Sequence, residues 1–371
     1  MRTRLCDTFG IEYPIFAFTR AKEVVVEVSK AGGMGVLGAI AFTVEELEPE
    51  LAWIDQHIEG RPYGVDVVMP AAIVDAAPPD LESMIPERHR QFVEDVLARH
   101  DVPPLPAGDP AWNGLLAWVH SQARSQVDIA LSHPIKLLAN ALGPPPPDVV
   151  AKAHERGALV AALIGKAEHA TRQVAAGVDI IIAQGGEAGG HTGDVSTMVL
   201  VPEIVDAVSP TPVLAAGGIG TGRQVAAALA LGAEGVWTGS IWLAVAEADT
   251  HPVVVQKLLD ATSRDTVRSR SWTGKPARML RTAWTDAWDA PDSPGALPMP
   301  LQFMLTGNAQ GRMHLYADRE ARALVGTPVG QIVGEMNEVR PVREVMADLV
   351  RGFEETTDRL AQLKRATGVR S

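Results

Sequence analysis

The sequence predicts an α/β protein built on a (β/α)8 barrel, the TIM-barrel architecture, and three observations support this prediction. Runs rich in Val, Ile, Ala and Leu recur eight times over residues 13–240. They are continuously apolar rather than alternating, as expected for strands buried on both faces of a parallel sheet. Helix-like segments separate most of them, with enough chain between successive runs for one crossover helix. Eight such units indicate a closed barrel, with a doubly wound open sheet as the alternative.

The elements follow one another regularly along most of the chain. The predicted strands cover 13–18, 33–38, 63–68, 135–140, 159–165, 179–184, 212–218 and 235–240. The clearest helix-like segments between them are 146–157, 167–177 and 221–232.

Two regions interrupt this rhythm. Residues 71–132 contain no obvious strand, but 86–100 and 110–124 have apolar positions three and four apart, which predicts helices. An insertion after the third strand lies at the face where barrel active sites form, so it is either a lid or simple packing. The second interruption begins after the eighth strand, near residue 244.

The domain organisation follows from these interruptions. We expect a barrel over 1–243 that carries 71–132 as a helical insertion, a smaller accessory domain over 244–325, and a C-terminal segment over 326–371. Within that segment, 340–366 predicts a long amphipathic helix that packs back on the barrel. Its apolar side is formed by Val342, Val345, Leu349, Phe353, Leu360 and Leu363.

Composition narrows the class of protein. The 371 residues carry 33 Lys and Arg against 45 Asp and Glu, a net charge of −12, which disfavours nucleic acid or an anionic membrane as partner. The single cysteine, Cys6, excludes an internal disulfide framework, and the ten dispersed histidines give no metal-binding pattern. Without a signal-like N-terminus or a long apolar span, a soluble cytoplasmic protein is expected. A homodimer is expected only from the general frequency of such assemblies.

The ends of the seventh and eighth strands predict a phosphate site. The seventh strand runs into "AAGGIGTG" (215–222), where Gly217 and Gly218 permit positive φ and let backbone N–H groups converge on one anion. A helix follows at once, and the eighth strand ends with Thr238, Gly239 and Ser240. Barrels often bind phosphate at this place. The alternative is that the glycines only form tight turns.

The sixth strand is followed by "AQGGEAGGHTG" (183–193), which has five glycines in eleven residues. So many glycines indicate close approach of the backbone to another group rather than a plain turn. His191 in this loop is a candidate general base or acid, or a donor to a substrate anion. The alternative is a structural histidine, and Glu187 is expected to brace the loop backbone.

These segments, with "AGGMGVLGA" (31–39), resemble the nitronate monooxygenase family, also called 2-nitropropane dioxygenase-like flavoproteins. The resemblance covers most of 1–245 apart from the insertion, and extends weakly through 269–281 and 329–335. It implies one FMN in a (β/α)8 barrel with a smaller accessory domain.

The resemblance also implies a set of site residues. His191 matches the catalytic histidine of the family. The FMN phosphate would lie on Gly217, Gly218, Trp237, Thr238, Gly239 and Ser240. The isoalloxazine ring would lie against Ala17, Phe18 and Thr19, with Gln184, Gly189 and Gly190 nearby.

Three departures from the family pattern indicate an atypical branch, so a substrate other than a nitronate stays open. The chain reads "AFTRA" (17–21) where the family usually has proline and methionine, and "SIWL" (240–243) where threonine, arginine and an aromatic residue are commoner. Asp66 stands where asparagine is usual. We expect Asp66 to contact the cofactor or to pair with Lys166, at the end of the fifth strand.

The leading prediction is an FMN-dependent oxidoreductase that oxidises a small carbon acid or its anion, such as an alkyl nitronate, with dioxygen and with His191 as base. One alternative is an FMN-dependent enoyl- or acyl-thioester reductase or dehydrogenase, with a coenzyme A or carrier-linked substrate and a nicotinamide donor. The other is a flavin-free barrel that isomerises or cleaves a phosphorylated metabolite.

Overall fold

The chain folds into a closed barrel of eight parallel strands. The computed structural model describes residues 1–69, 81–106, 120–141 and 143–366. Barrel strands follow in the order β1-β2-β3-β4-β5-β6-β8-β9, and β9 closes on β1 through the pair Ile15 and Val236. The barrel prediction is therefore confirmed, and the open-sheet alternative is wrong. The barrel strands are β1 Ile15–Thr19, β2 Met34–Gly38, β3 Tyr63–Val68, β4 Leu137–Ala141, β5 Leu159–Ile164, β6 Ile180–Gln184, β8 Val213–Ala216 and β9 Gly235–Thr238.

Helices surround this barrel and also form its additions. Those described are α1 Arg4–Phe9, α2 Lys22–Lys30, α3 Val44–His57, α4 Glu87–Ala98, α5 His120–Ala130, α6 Pro147–Glu155, α7 Ala167–Ala175, α8 Thr197–Val208, α9 Gly222–Ala230, α10 Pro252–Asp260, α11 Ala283–Asp289, α12 Leu301–Leu315 and α13 Val342–Ala366. The predicted helix over 86–100 corresponds to α4. Of the one predicted over 110–124, residues 110–119 lie outside the described residues, and the remainder begins α5.

Side chains fill the interior of the barrel at the amino-terminal ends of the strands, whereas the carboxyl-terminal ends border open space. Inward-facing side chains such as Phe16, Val36 and Ile182 form one buried cluster. Leu5 and Phe9 of α1 belong to the same cluster, so this helix closes the amino-terminal end of the barrel. The space at the carboxyl ends of the strands remains for a ligand, as is usual in this fold.

A small sheet joins the accessory segment to the barrel. Strands β10 (Thr266–Ser269) and β11 (Ala277–Leu280) are antiparallel, and the third strand, β7 (Gly190–His191), comes from the loop after β6. Ala277 pairs with His191. The glycine-rich loop is thereby fixed to the chain that follows the barrel.

The first half of the C-terminal helix α13 packs against the barrel helix α9. The N–H of Phe353 would overlap a Cβ placed on Gly222, so α13 crosses α9 at close range. Leu349 is buried, whereas Leu360 and Leu363 are 48% and 49% exposed. The apolar side predicted for 340–366 is therefore buried at Leu349 but about half exposed at Leu360 and Leu363. No described helix has the length and apolar character needed to cross a membrane.

Candidate functional site

A cavity of about 1130 Å3 lies at the carboxyl ends of the barrel strands. The accessory segment forms its outer wall, through the chain around residue 273 and the inner face of α12. All but two of the predicted site residues line it: Phe18, Thr19, Asp66, Gln184, Gly189, Gly190, His191, Gly217, Gly218, Trp237, Thr238, Gly239 and Ser240. The structure therefore brings together residues that the sequence spreads over more than 200 positions.

The two exceptions are Ala17 and Lys166. Ala17 is fully buried among the side chains between barrel and helices, because it alternates with the inward-facing Phe16 and Phe18. Lys166 is exposed at the residue before α7. Neither side chain lines the cavity.

Backbone N–H groups at the ends of β8 and β9 form an anion cradle. Gly217 and Gly218 have φ of +104° and +70°, which only glycine adopts readily. Within the described residues, the amides of Gly218, Gly239 and Ser240 donate to no protein acceptor, and all three residues face the cavity. Because these N–H groups have no protein acceptor and face the cavity, they are available to an anion bound there.

The side chains beside this cradle are less available than the sequence predicts. Thr238 Oγ1 donates to the Phe16 carbonyl at 3.1 Å and accepts from Trp242 Nε1 at 3.0 Å. Its hydroxyl proton is therefore already used. Ser240 Oγ only accepts, from the Gly330 amide at 2.8 Å, so its own proton can reach a ligand. Only one of the two predicted hydroxyl donors is thus open to the cavity.

Most glycines of the 183–193 loop are required by protein packing. A Cβ on Gly185 would overlap Thr197, one on Gly189 would lie 2.8 Å from the Val329 backbone, and one on Gly193 would lie 2.7 Å from the Gly165 carbonyl oxygen. Gly190 differs, because it has open space around it but a φ of +76°. The expectation that these glycines mainly admit a ligand needs this correction.

Glu187 braces the loop, as expected. Its carboxylate accepts from the Thr197 backbone N–H at 2.9 Å and from the Thr197 hydroxyl at 3.0 Å. These bonds fix the loop to the first residue of α8.

His191 lies between the barrel and the accessory segment. Its Nε2 is 2.8 Å from Thr273 Oγ1. The pKa of His191 is lowered to about 4, first by burial and then by the positive charge of Lys275. The imidazole is therefore neutral at physiological pH and able to accept a proton.

Sequence reasoning missed the outer wall of the cavity. Thr273 and Lys275 come from the segment 269–281. The sequence marked this segment only through its weak resemblance to the family. Gln310 and His314 come from α12, where no motif marks them. Their spacing of four places both residues on one face of the helix, but it does not show that this face points toward the cavity.

Asp66 faces the cavity from β3 and is 5% exposed. Burial raises its pKa to about 7. The expected pair with Lys166 is wrong, since no ion pair within 4 Å joins them in the described structure. The pKa of Asp194 is instead lowered, first by its hydrogen bond to Arg268 and least by the charge of Lys166.

The fold and the cavity define a (β/α)8 barrel with a cavity at the carboxyl ends of its strands, where barrel enzymes carry their active sites. The family model described as nitronate monooxygenase matches residues 2–352. The chain belongs to this family and is an oxidoreductase. The described residues contain no group of three or more His, Cys, Asp or Glu side chains placed to hold a metal ion.

Three similar proteins span a range of activities. A Mycobacterium tuberculosis protein named as a monooxygenase, Rv1533, is 54% identical over 374 residues, which covers 98% of this chain and 99% of the relative. A 5-hydroxy-7a-methyl-1-oxo-octahydro-1H-indene-4-carboxyl-CoA dehydrogenase of the same organism is 31% identical, over 76% of this chain and 67% of the relative. The solved nitroalkane oxidase of Streptomyces ansochromogenes is 26% identical with a TM-score of 0.79, over 96% and 99% of the two chains.

Proposed function

We propose that the protein is an FMN-dependent oxidoreductase that oxidises a small carbon acid or its anion, such as an alkyl nitronate, with dioxygen. The observation that carries the proposal is that one cavity contains both an anion cradle and a neutral, half-buried histidine. The cradle suits a phosphate group and the histidine suits proton removal.

The cradle residues fit FMN. The unpartnered amides of Gly218, Gly239 and Ser240 would hold the phosphate, and the barrel interior offers the stacked rings of Phe18 and Trp237, with centroids 6.2 Å apart, beneath the cavity. The amides of Gly220 and Thr221 are less suited, because both already donate to Gln224 Oε1 at 2.9 Å. When bound, the flavin would accept the electrons that leave the substrate.

His191 would take the acidic proton. Thr273 Oγ1 donates to the Lys275 carbonyl at 3.3 Å and accepts from the Lys275 amide at 3.3 Å. The Thr273 hydroxyl holds the imidazole in place through Nε2, whose role as donor or acceptor follows the tautomer of the ring. The Lys275 side chain lines the same cavity and would stabilise negative charge on the substrate.

The test is an absorbance spectrum of the purified protein followed by anaerobic reduction. Bound FMN that is bleached by alkyl nitronates but not by NADH or NADPH supports the proposal. A colourless protein that takes up no added FMN would contradict it and favour an isomerase or lyase acting on a phosphorylated metabolite.

A second function, the oxidation or reduction of an acyl thioester, is favoured by the size of the cavity and by the relative named as a carboxyl-CoA dehydrogenase. The cavity exceeds the roughly 300–1,000 Å3 of most ligand pockets, so it can hold a substrate larger than a small nitronate beside a cofactor. Rapid bleaching by NADH or NADPH, or by an acyl-coenzyme A, would distinguish this function from the first.

A further inference from the structure

Arg20 occupies an unusual position at the edge of the cavity. It follows β1, is half-buried and lines the cavity wall. Across the described residues, no carboxylate lies within 4 Å of its guanidinium, and no hydrogen bond of its side chain is formed. A partly buried guanidinium has five donors to satisfy, so this arrangement points to an acceptor supplied by a ligand.

The inner face of α12 adds a second polar group without a partner. Gln310 lines the cavity and is 3% exposed, and its Oε1 has no hydrogen-bond partner among the described residues. His314 lies one turn further along the same helix and also lines the cavity. The unpartnered oxygen accepts hydrogen bonds and so suits a donor on the ligand, whereas the Nε2 group of the same amide is the one that can donate to an anion.

Basic groups gather around this point. The pKa of His314 falls to about 4, first because of burial and then because of the positive charges of Arg20 and His251. His314 is therefore neutral at physiological pH, and Arg20 supplies the positive charge of this part of the cavity. Of the described residues, two acids line the cavity: Asp249 is exposed at its edge, and Asp66 is buried on β3. Asp318, 3.8 Å from His251, has a side chain that is 71% exposed. In a protein with a net charge of −12, a cation in a cavity is a local exception that favours an anionic ligand.

We infer that Arg20, with Gln310 and His314, forms a subsite for an oxyanion of the substrate, a carboxylate or a phosphate, separate from the cradle formed by the ends of β8 and β9. The inference rests on the proposed function and specifies its substrate, which would carry an anionic group in addition to its reactive carbon. Arg20 would bind two oxygens of that group through its planar guanidinium, and Gln310 would donate through its amide.

The test is titration calorimetry of the protein as purified, with butyrate, inorganic phosphate and the neutral butyramide as probes. We expect butyrate or phosphate to bind about tenfold to a hundredfold more tightly than butyramide, the usual range for charge-assisted hydrogen bonds. Arg20→Met should remove this preference, Arg20→Lys should keep part of it, and Arg359→Met, at an exposed arginine outside the cavity, should leave it intact. A preference for butyrate or for phosphate that Arg20→Met removes supports the subsite and identifies which oxyanion it takes, whereas a preference that survives Arg20→Met belongs to the cradle and contradicts the subsite.

Two results would overturn the inference. One is equal binding of all three probes by the unaltered protein. The other is that Arg20→Met abolishes the preference for FMN over riboflavin, because Arg20 would then serve the cofactor phosphate. Both measurements are independent of turnover, so a protein that oxidises no carbon acid can still show the subsite, and the two proposals fail separately.

Discussion

Replacing Asp66 with asparagine should stabilise the protein, and the gain should grow with pH. Asp66 is buried at the cavity, where no described cation pairs with it, and burial raises its pKa from 3.8 to about 7. Between these values the unfolded chain loses the proton while the folded protein keeps it. The unfolded state is therefore favoured progressively as pH rises through this window, and the cost is complete above pH 7.

The size of the effect follows from the shift in pKa. The difference between 3.8 and about 7 corresponds to about 4 kcal/mol at 1.36 kcal/mol for each pH unit, and to about half of that near pH 5.5. This is an upper bound, since water that enters the cavity would solvate the carboxylate. Asparagine has the same shape and no charge, so Asp66→Asn should remove most of the cost.

Urea unfolding at several values between pH 4 and pH 8.5, without added cofactor, measures this directly. The difference in free energy of unfolding between Asp66→Asn and the unaltered protein should be near zero at pH 4 and reach several kcal/mol above pH 7. Asp292→Asn, at an exposed aspartate, is the matched control and should show no such trend. A difference that is independent of pH, or a loss of stability at pH 8, would refute the reasoning.

Three further perturbations test the site and its supports. His191→Gln should lower kcat/KM by a factor of about 10²–10⁴ without loss of flavin binding. In the unaltered protein, kcat/KM should fall only as the pH drops toward about 4. A decrease in kcat/KM that already sets in near pH 6.5 would contradict the assignment of His191 as the base. Gly185→Ala, which places a methyl group against Thr197, should cost about 1–3 kcal/mol of unfolding free energy, and Gly190→Ala about 1–2 kcal/mol from its positive φ alone; equal flavin affinity in both variants would confirm a structural effect. Arg312→Met removes bonds to the carbonyl groups of residues 102 and 103, so 81–106 should become more sensitive to limited proteolysis, and unchanged cleavage would count against that anchor.

The barrel was predictable because strands buried on both faces need continuous apolar runs, and that requirement is written into the local sequence. The same holds for the cradle. A phosphate site of backbone N–H groups needs glycine at particular positions, and Gly217 and Gly218 adopt the positive φ that the sequence indicated. His191 was detectable because a histidine in a glycine-rich loop after a barrel strand stands out locally.

The sequence alone thus determined the eight-stranded barrel, the end of it that carries the site, and the residues at the ends of its strands. Only the tertiary structure decided that α12 and the chain around Thr273 form the outer wall, because the partners of that wall lie far apart along the chain and no local pattern encodes which face of a helix meets a cavity. Long-range contacts also decided that Leu360 and Leu363 stay exposed. They likewise decided that Gly185, Gly189 and Gly193 pack against Thr197, Val329 and Gly165. The local sequence shows that one face of a helix or strand is apolar, or that a glycine leaves the backbone without a side chain. Which group packs there depends on residues far away along the chain.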